Sequence, residues 1–234
     1  MIATAAPPVL HHTQHENGGS DEIDATGLTG ASGGSQFPQN VISIGSFMES
    51  IDCWDSNTTG SGNVNAASDG INIRTNTTAN STASINRNAY ISNADYSWDN
   101  DHQFDFTGFL RSNTTNTCLF YILHGTDETT DAIGFKVLNG QLFGYVHDGV
   151  SATTLLLETI SASSFNVKRA LRAVFTAGAN CKFYVDGVLL GTISTGLPTG
   201  IYSSDNLVFI SVANPSVAEL KYITISSFNV IINP

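Results

Sequence analysis

Hydrophobic and polar residues alternate in short segments along most of the chain, and turn-forming residues separate these segments. In QFDFTGFLR, residues 103–111, Phe104 and Phe106 fall on one face of an extended chain, and Asp105 and Thr107 fall on the other. A period of two is typical of a strand with one buried and one solvated face. No segment of helical length shows an apolar period of 3.6 residues, so the pattern predicts an all-β fold.

Twelve segments have the length and composition of strands. They span residues 41–47, 84–91, 103–111, 117–125, 133–139, 141–148, 154–160, 170–177, 181–187, 189–194, 206–213 and 220–232. Asn139-Gly140 and Asp186-Gly187 supply the positive φ angles of type I′ hairpin turns. Residues 55–82, rich in Asn, Thr and Ser, are predicted as loops around one short strand at 71–74. One open sheet would leave too much apolar face uncovered, so we expect an antiparallel β-sandwich of the jelly-roll type.

The first 36 residues differ from the rest of the chain. They are rich in Gly, Ser, Asp and His and contain few large apolar residues, so burial cannot offset the entropy of ordering them. Their last part, GASGGSQ (residues 30–36), has the composition of a flexible hinge. The sequence therefore predicts an extended N-terminal arm with its hinge at 1–36 and a single sandwich domain at 37–234.

Composition and net charge argue against some classes of function. Charged residues make up 12% of the chain and the formal net charge is −11, so the averaged field repels phosphate backbones and anionic lipids. We expect no nucleic-acid partner and no membrane insertion, since no stretch approaches the ~20 apolar residues of a span. We also expect no secretion signal at the N-terminus, because it lacks a positive region and Pro7 and Pro8 interrupt its short apolar run. Cys53, Cys118 and Cys181 are odd in number and widely spaced, which predicts free, mostly buried thiols.

The segment from residue 103 to residue 200 resembles the concanavalin-A-like jelly-roll superfamily, particularly its laminin-G-like branch. The resemblance rests on the succession FDFTGFLR, LFYILHG, IGFKVLNGQLFGYV and RALRAVFTAGANCKFYVDGVLLGT. The last hairpin, with Asp186-Gly187 at its tip, is the most telling piece. The resemblance implies a fold and no particular activity, because lectins, hydrolases, adhesins and spacers all have this sandwich fold.

The opening segment HHTQHENGGSDEIDATGLTG, residues 11–30, resembles the H-x-x-x-H-x-x-G-G-x-D-x-I segment of tailed-phage fibre, baseplate and other virion appendage proteins. The residues that match this pattern are His11, His15, Gly18, Gly19, Asp21 and Ile23, and His12 lies beside the first of them. The resemblance implies that this arm docks onto other virion proteins. It also implies a homo-oligomer, with a trimer favoured, on the exterior of the particle.

The sequence contains no complete catalytic motif of this superfamily. Glucanases of this fold carry E-x-D-x-E on one strand, so that two carboxylates flank a glycosidic bond. The nearest match, Glu22-Ile23-Asp24, has Thr26 in the third position and lies in the polar arm, where no burial raises an acid's pKa. His102, His124 and His147 are isolated along the sequence and are expected to be ordinary surface or hydrogen-bonded histidines. We expect no enzyme, and a glycoside hydrolase of the same fold stays a remote alternative.

Two metal sites are conceivable, and no other cofactor is expected. In a three-fold assembly His11 and His15 would form rings of imidazoles that hold a metal between subunits; alternatively they cap turns and bind a partner protein. The lectin-like resemblance implies calcium at a sheet rim, and Asp127, Glu128 and Asp131 form the densest carboxylate loop. The alternative for that loop is simple solvation.

Two hypotheses of function follow. The favoured one is a structural virion protein of a tailed phage, docked by its arm and displaying the sandwich as a fibre head, decoration or host-surface adhesin. The other is a carbohydrate-binding lectin module, in which Tyr96 and Trp98 of NADYSWDNDH are platforms for a host surface glycan. For both aromatic residues, packing in the core is the competing interpretation.

Overall fold

Two antiparallel β-sheets face each other across an apolar core in this computed structural model, which confirms the predicted sandwich. The structure describes residues 40–44, 54–75, 78–88, 97–112, 119–161, 167–201, 206–214 and 220–233. These residues belong to one unit that runs from Pro38 to Pro234. The predicted arm and its boundary with the sandwich lie outside the described residues. No helix in the described part is long and apolar enough to cross a bilayer.

The described residues form fifteen strands, numbered in chain order. They are β1 (Asn40–Ile44), β2 (Asp55–Thr59), β3 (Asn63–Ala67), β4 (Gly70–Arg74), β5 (Ser81–Asn88), β6 (Asp101–Ser112), β7 (Leu119–Gly125), β8 (Ala132–Leu138), β9 (Gln141–His147), β10 (Ala152–Thr159), β11 (Lys168–Thr176), β12 (Asn180–Val185), β13 (Val188–Ile193), β14 (Asn206–Asn214) and β15 (Lys221–Asn233). Sheet A has the order β13-β12-β11-β6-β15-β4-β3, and β1 also pairs with β15. Sheet B has the order β10-β9-β8-β7-β14-β5-β2.

Both predicted hairpin turns are confirmed. Asn139 and Gly140, between β8 and β9, have φ angles of 50° and 76°. Asp186 and Gly187, between β12 and β13, have φ angles of 51° and 84°. Two successive positive φ angles define the type I′ turn, whose twist matches that of the strands it joins.

The core lies between the sheets and consists of the inward-facing side chains of their central strands. Phe104 and Phe106 are 0% and 1% exposed, so the alternation predicted for residues 103–111 is confirmed. Burial of such a side chain stabilises the fold by roughly 1.5–3 kcal/mol.

Of the three cysteines, Cys181 is a free thiol in this core, and burial raises its pKa, as expected for a structural cysteine. Cys53 and Cys118 lie outside the described residues.

A glycine sets the close approach of the two sheets near β9. A Cβ atom added to Gly144 would lie 2.6 Å from a ring carbon of Phe183 on β12. The Phe183 ring therefore occupies the space that a side chain at position 144 would need. It also meets Phe135 edge to face, with ring centroids 5.7 Å apart.

Strands β2 and β3 are the parts of the described fold that the sequence pattern failed to predict, since residues 55–82 were expected to form loops around a strand at 71–74. Their sequences, DSNTT and NVNAA, contain few large apolar residues. Each is the outermost strand of its sheet, and every residue of β2 is exposed. An edge strand needs only the backbone hydrogen bonds of its single neighbour, so the apolar pattern does not mark it.

Candidate functional site

The outer face of sheet A carries a mixture of aromatic, charged and amide side chains. Odd-numbered residues of β6 and even-numbered residues of β11 and β12 point away from the core, as their burial patterns show. The outward residues at the centre of the face are Gln103, Asp105, Thr107, Phe109 and Arg111 on β6, Ala170 and Arg172 on β11, Tyr184 on β12, and Tyr222 and Asn229 on β15. We call this surface the A face.

An ion pair stands at the middle of the A face. Arg172 lies directly opposite Asp105 on one side and Tyr184 on the other. Its Nε donates to Asp105 Oδ1 at 2.5 Å, and Gln103 Nε2 donates to Asp105 Oδ2 at 2.7 Å. Both oxygens of the carboxylate are thus engaged. The Arg172 side chain is 52% exposed, so its remaining N–H donors face solvent.

A depression of ≈ 450 Å³ lies beside this ion pair. Small residues Thr107, Ala170 and Gly187 leave the space open, and Tyr184 and Arg172 border it. Its volume falls in the range of small-ligand sites.

The turn between β12 and β13 at the edge of the depression is fixed in place. Asp186 Oδ1 accepts from the Ala170 backbone N–H at 2.9 Å, and Asp186 Oδ2 accepts from Arg169 Nε at 2.8 Å. Arg169 Nη2 donates in turn to Glu158 of β10 at 2.7 Å. The turn that carries Gly187 is therefore held to both sheets.

A second polar and aromatic group lies at the β4 side of the A face. The Arg111 guanidinium carbon lies 4.4 Å from the Phe109 ring centroid and 5.3 Å from the Tyr222 ring centroid. Arg111 Nη1 donates to Tyr222 Oη at 3.2 Å, and Nη2 donates to Asp69 Oδ2 at 3.1 Å. Such contacts with two rings and a carboxylate hold a guanidinium in one orientation.

No protein-family model matches this sequence, and no curated protein sequence matches it. Solved structures do match its fold. The binding domain of botulinum neurotoxin serotype G gives a TM-score of 0.54 at 12% identity, over 83% of this chain and 48% of the toxin domain. The binding domain of Paraclostridial Mosquitocidal Protein 1 gives 0.52 at 14% identity, over 76% and 44%.

The chain shares its fold with toxin binding domains. A further match is a botulinum neurotoxin type C structure, with a TM-score of 0.52 at 13% identity over 76% of this chain and 43% of the other. The chain spans less than half the length of each of these domains. At these identities the likeness establishes the β-sandwich fold and assigns no residue.

Trp98, predicted as a surface platform, belongs to the core. It is 0% exposed, and its ring centroid lies 4.7 Å from that of His102 and 5.7 Å from that of Phe175. A ring without an exposed face cannot stack on a glycan, so the core alternative is the correct one for Trp98. Tyr96 lies outside the described residues.

The carboxylates predicted for calcium lie on the loop between β7 and β8. Asp127 Oδ1 accepts from the backbone N–H and the hydroxyl of Thr129, and the Glu128 carbonyl accepts from Tyr145 Oη. Burial raises the pKa of Asp131. Across the described ranges, no three His, Cys, Asp or Glu side chains group at a spacing that holds a metal. The calcium site stays a prediction from sequence.

The residues predicted for particle docking lie outside the described part of the chain. They are His11, His12, His15, Gly18, Gly19, Asp21 and Ile23. The inter-subunit metal predicted for His11 and His15 likewise stays a prediction.

His102 and His124 are hydrogen-bonded, as expected, and they contact each other although they are separate in the sequence. Their rings meet in the core, with His102 Nδ1 at 2.9 Å from His124 Nε2. His102 Nε2 contacts the Ser97 carbonyl at 2.9 Å, and His124 Nδ1 contacts the Leu207 carbonyl at 2.7 Å. Burial lowers the pKa of His102 to about 4 and that of His124 to about 3, so both rings are neutral at pH 7.

The central residues of the A face were missed as a site by sequence reasoning, although one signal was present. Alternation placed Asp105 and Thr107 on a solvated face, and the same period in residues 170–177 and 181–187 puts Arg172 and Tyr184 outward. The pattern within each strand does not give the register between strands, and that register brings these residues together.

Proposed function

We propose that this chain is a carbohydrate-binding module and that the A face is its binding surface. The observation that carries the proposal is Tyr184 beside the ion-paired, half-exposed Arg172 at the border of a ≈ 450 Å³ depression. An aromatic ring offers an apolar surface to the C–H groups of a sugar, while fixed N–H donors hydrogen-bond its hydroxyls. The strands hold both groups, so little side-chain entropy is lost on binding.

The structural neighbours support a binding role of this kind. Cell entry of botulinum neurotoxin type C depends on interaction with two ganglioside molecules. Another neighbour is the binding domain of botulinum neurotoxin DC in complex with SialylT. Because this chain spans less than half of those domains, the choice of the A face rests on its own residues.

Alanine in place of Tyr184 is expected to weaken glycan binding about tenfold, the equivalent of ~1.4 kcal/mol, since it removes the ring that borders the depression. A glycan array first identifies a binding sugar, and isothermal titration then compares wild type with the variant. Tyr121→Ala is the matched control, because Tyr121 is a half-buried tyrosine on the outer face of sheet B. Loss of binding in the control with full binding by Tyr184→Ala would place the site on sheet B instead.

We further propose that a tailed-phage particle displays this module as a fibre head, decoration or adhesin, attached through residues 1–36. The supporting observation is the H-x-x-x-H-x-x-G-G-x-D-x-I segment at residues 11–23. Many copies on one particle, each a trimer by the same resemblance, would raise avidity without strong affinity at a single site.

Deletion of residues 1–30 is expected to leave a folded sandwich that no longer joins particles, because those residues precede every described strand. Circular dichroism and a thermal melt check the fold, and quantitative mass spectrometry of purified particles measures incorporation. Normal incorporation of the truncated chain would refute docking through the arm.

The proposal is of a binding protein rather than a glycoside hydrolase. Retaining hydrolysis requires two carboxyl groups about 5 Å apart, one of them free to act as a nucleophile. Asp105 has both oxygens engaged by Arg172 and Gln103. Assay of polysaccharide samples for released reducing sugar tests this point, and product formation would restore the hydrolase alternative.

A further inference from the structure

Cations are concentrated on one face of a strongly acidic protein. The chain has nine lysines and arginines and a net charge of −11. Five of the nine project from the outward side of sheet A: Arg74, Arg111, Lys168, Arg172 and Lys182. Among the described outward positions of these strands, the carboxylates are Asp101 and Asp105. Asp101 accepts from the Ala177 N–H at 2.9 Å, and Asp105 pairs with Arg172.

Three of these cations have no anionic partner among the residues that the structure describes. Within the described part of the chain, the ion pairs involve Arg111, Arg169 and Arg172, and none involves Arg74, Lys168 or Lys182. Lys168 is exposed, and Arg74 and Lys182 are half-buried. The A face therefore presents uncompensated positive charge.

The cations are spread across the face rather than gathered around one point. Lys182 lies on β12 and Arg74 on β4, four strand spacings apart in sheet A, which is about 19 Å. At the β4 end of this span, Tyr222 on β15 lies between Arg74 on β4 and Arg111 on β6. A small anion would meet one or two of these groups. A polymer with anionic groups at intervals would meet most of them.

The other sheet carries fewer cations. The loops that join strands of sheet B carry Asp127, Glu128, Asp131 and Asp148, and its strands carry the two cations Lys136 and Arg87. A polyanion is repelled from that side and drawn to the A face, so the charge distribution orients the encounter.

We propose that the A face selects acidic polysaccharides whose carboxylates recur along the chain, as in a polyuronate. This selectivity rests on the proposed carbohydrate-binding function. Arginine forks match carboxylates in geometry, and Tyr184, Phe109 and Tyr222 add aromatic surface for the sugar rings between the charges. The net charge of −11 repels a nucleic acid and an acidic polysaccharide alike. For the polysaccharide, the contacts between its sugar rings and these aromatic side chains offset that repulsion.

The test uses the full chain and four immobilised probes: polygalacturonate, neutral dextran, heparin and single-stranded DNA. Biolayer interferometry at low salt is expected to show polygalacturonate at least about tenfold tighter than the other three. The double substitution Lys168→Gln and Lys182→Gln is expected to weaken polygalacturonate binding about tenfold and to flatten its salt dependence. Lys136→Gln, which removes one charge from sheet B, is the control and is expected to bind like wild type.

Each other outcome overturns the inference in a recognisable way. An equal loss in Lys136→Gln would mean that net charge, and not the A face, governs binding. Equal or tighter binding of DNA or heparin would mean a general polyanion surface. If dextran binds as tightly as polygalacturonate and the double substitution leaves its affinity unchanged, selectivity for acidic polysaccharides is refuted. The proposed carbohydrate-binding function would still stand. No binding to any of the four probes would end acid selectivity, whereas the carbohydrate-binding function is decided by the glycan array.

Discussion

Replacement of Trp98 by alanine is expected to lower the free energy of unfolding by about 3–5 kcal/mol. The indole is fully buried and packs against His102, His124 and Phe175. Its removal forfeits the transfer free energy of a large apolar group and leaves a cavity between the two sheets that the surrounding strands can fill only in part. It also uncovers the histidine pair.

Urea denaturation followed by circular dichroism measures this effect. Trp98→Phe is expected to keep part of the lost stability, and Tyr184→Ala on the A face is the control, with an expected change below about 1 kcal/mol. A Trp98→Ala protein with wild-type stability and lost glycan binding would mean that the indole is a surface platform after all.

The protein is expected to lose about 4–5 kcal/mol of stability between pH 7 and pH 4.5 through its buried histidine pair, roughly half from each imidazole. The pKa values of His102 and His124 in the fold, about 4 and about 3, lie below the ordinary value of 6.5. The unfolded chain therefore takes up protons first as the pH falls. Stability from this source is complete above pH 6.5, declines as the pH drops towards 4, and levels off below the folded pKa values.

The hydrogen bonds of the pair allow the fold to take up one proton, and not two, once the pH approaches 4. The contacts with the Ser97 and Leu207 carbonyls each need an N–H donor, and the inner contact between His102 and His124 needs a third proton. Two neutral rings carry two such protons. One added proton satisfies all three contacts, whereas a second would place like charges 2.9 Å apart in the core.

Denaturation of wild type and His124→Gln at pH 7, 5.5 and 4.5 isolates the imidazoles, since carboxylate titration is common to both proteins. The variant is expected to lose less stability on acidification. Equal pH slopes would contradict the assignment. Should the variant fail to fold, NMR titration of the wild-type rings replaces it, and the two buried rings are expected to stay neutral from pH 7 down to pH 5.

Local patterns were sufficient for the architecture. The alternation around Phe104 and Phe106 fixed which face of β6 is buried, and Asn139-Gly140 and Asp186-Gly187 fixed two turns, because both signals depend on neighbouring residues alone. The polar edge strands β2 and β3 lacked such a signal. Their strand conformation comes from pairing with β5 and β4, which a local pattern does not encode.

Contacts between distant segments explain the errors at the candidate sites. Trp98 stands in a polar segment that suggests exposure, yet its backbone N–H donates to the Gly200 carbonyl at 2.8 Å, and Ser97 bridges to Ile201. These contacts draw the indole over His102 and His124, which are 22 residues apart. Burial here follows from pairing with residues 200 and 201, which the local composition around Trp98 does not encode.

The position of β15 in sheet A constrains how the protein can be made. This strand, residues 221–233, pairs with β6 along its whole length and on its other side with β4 and β1. A nascent chain on the ribosome leaves β6, β4 and β1 without this common neighbour until the last residues of β15 have emerged. Sheet A therefore closes after synthesis of β15, and the strand edges that β15 covers need protection from aggregation until then.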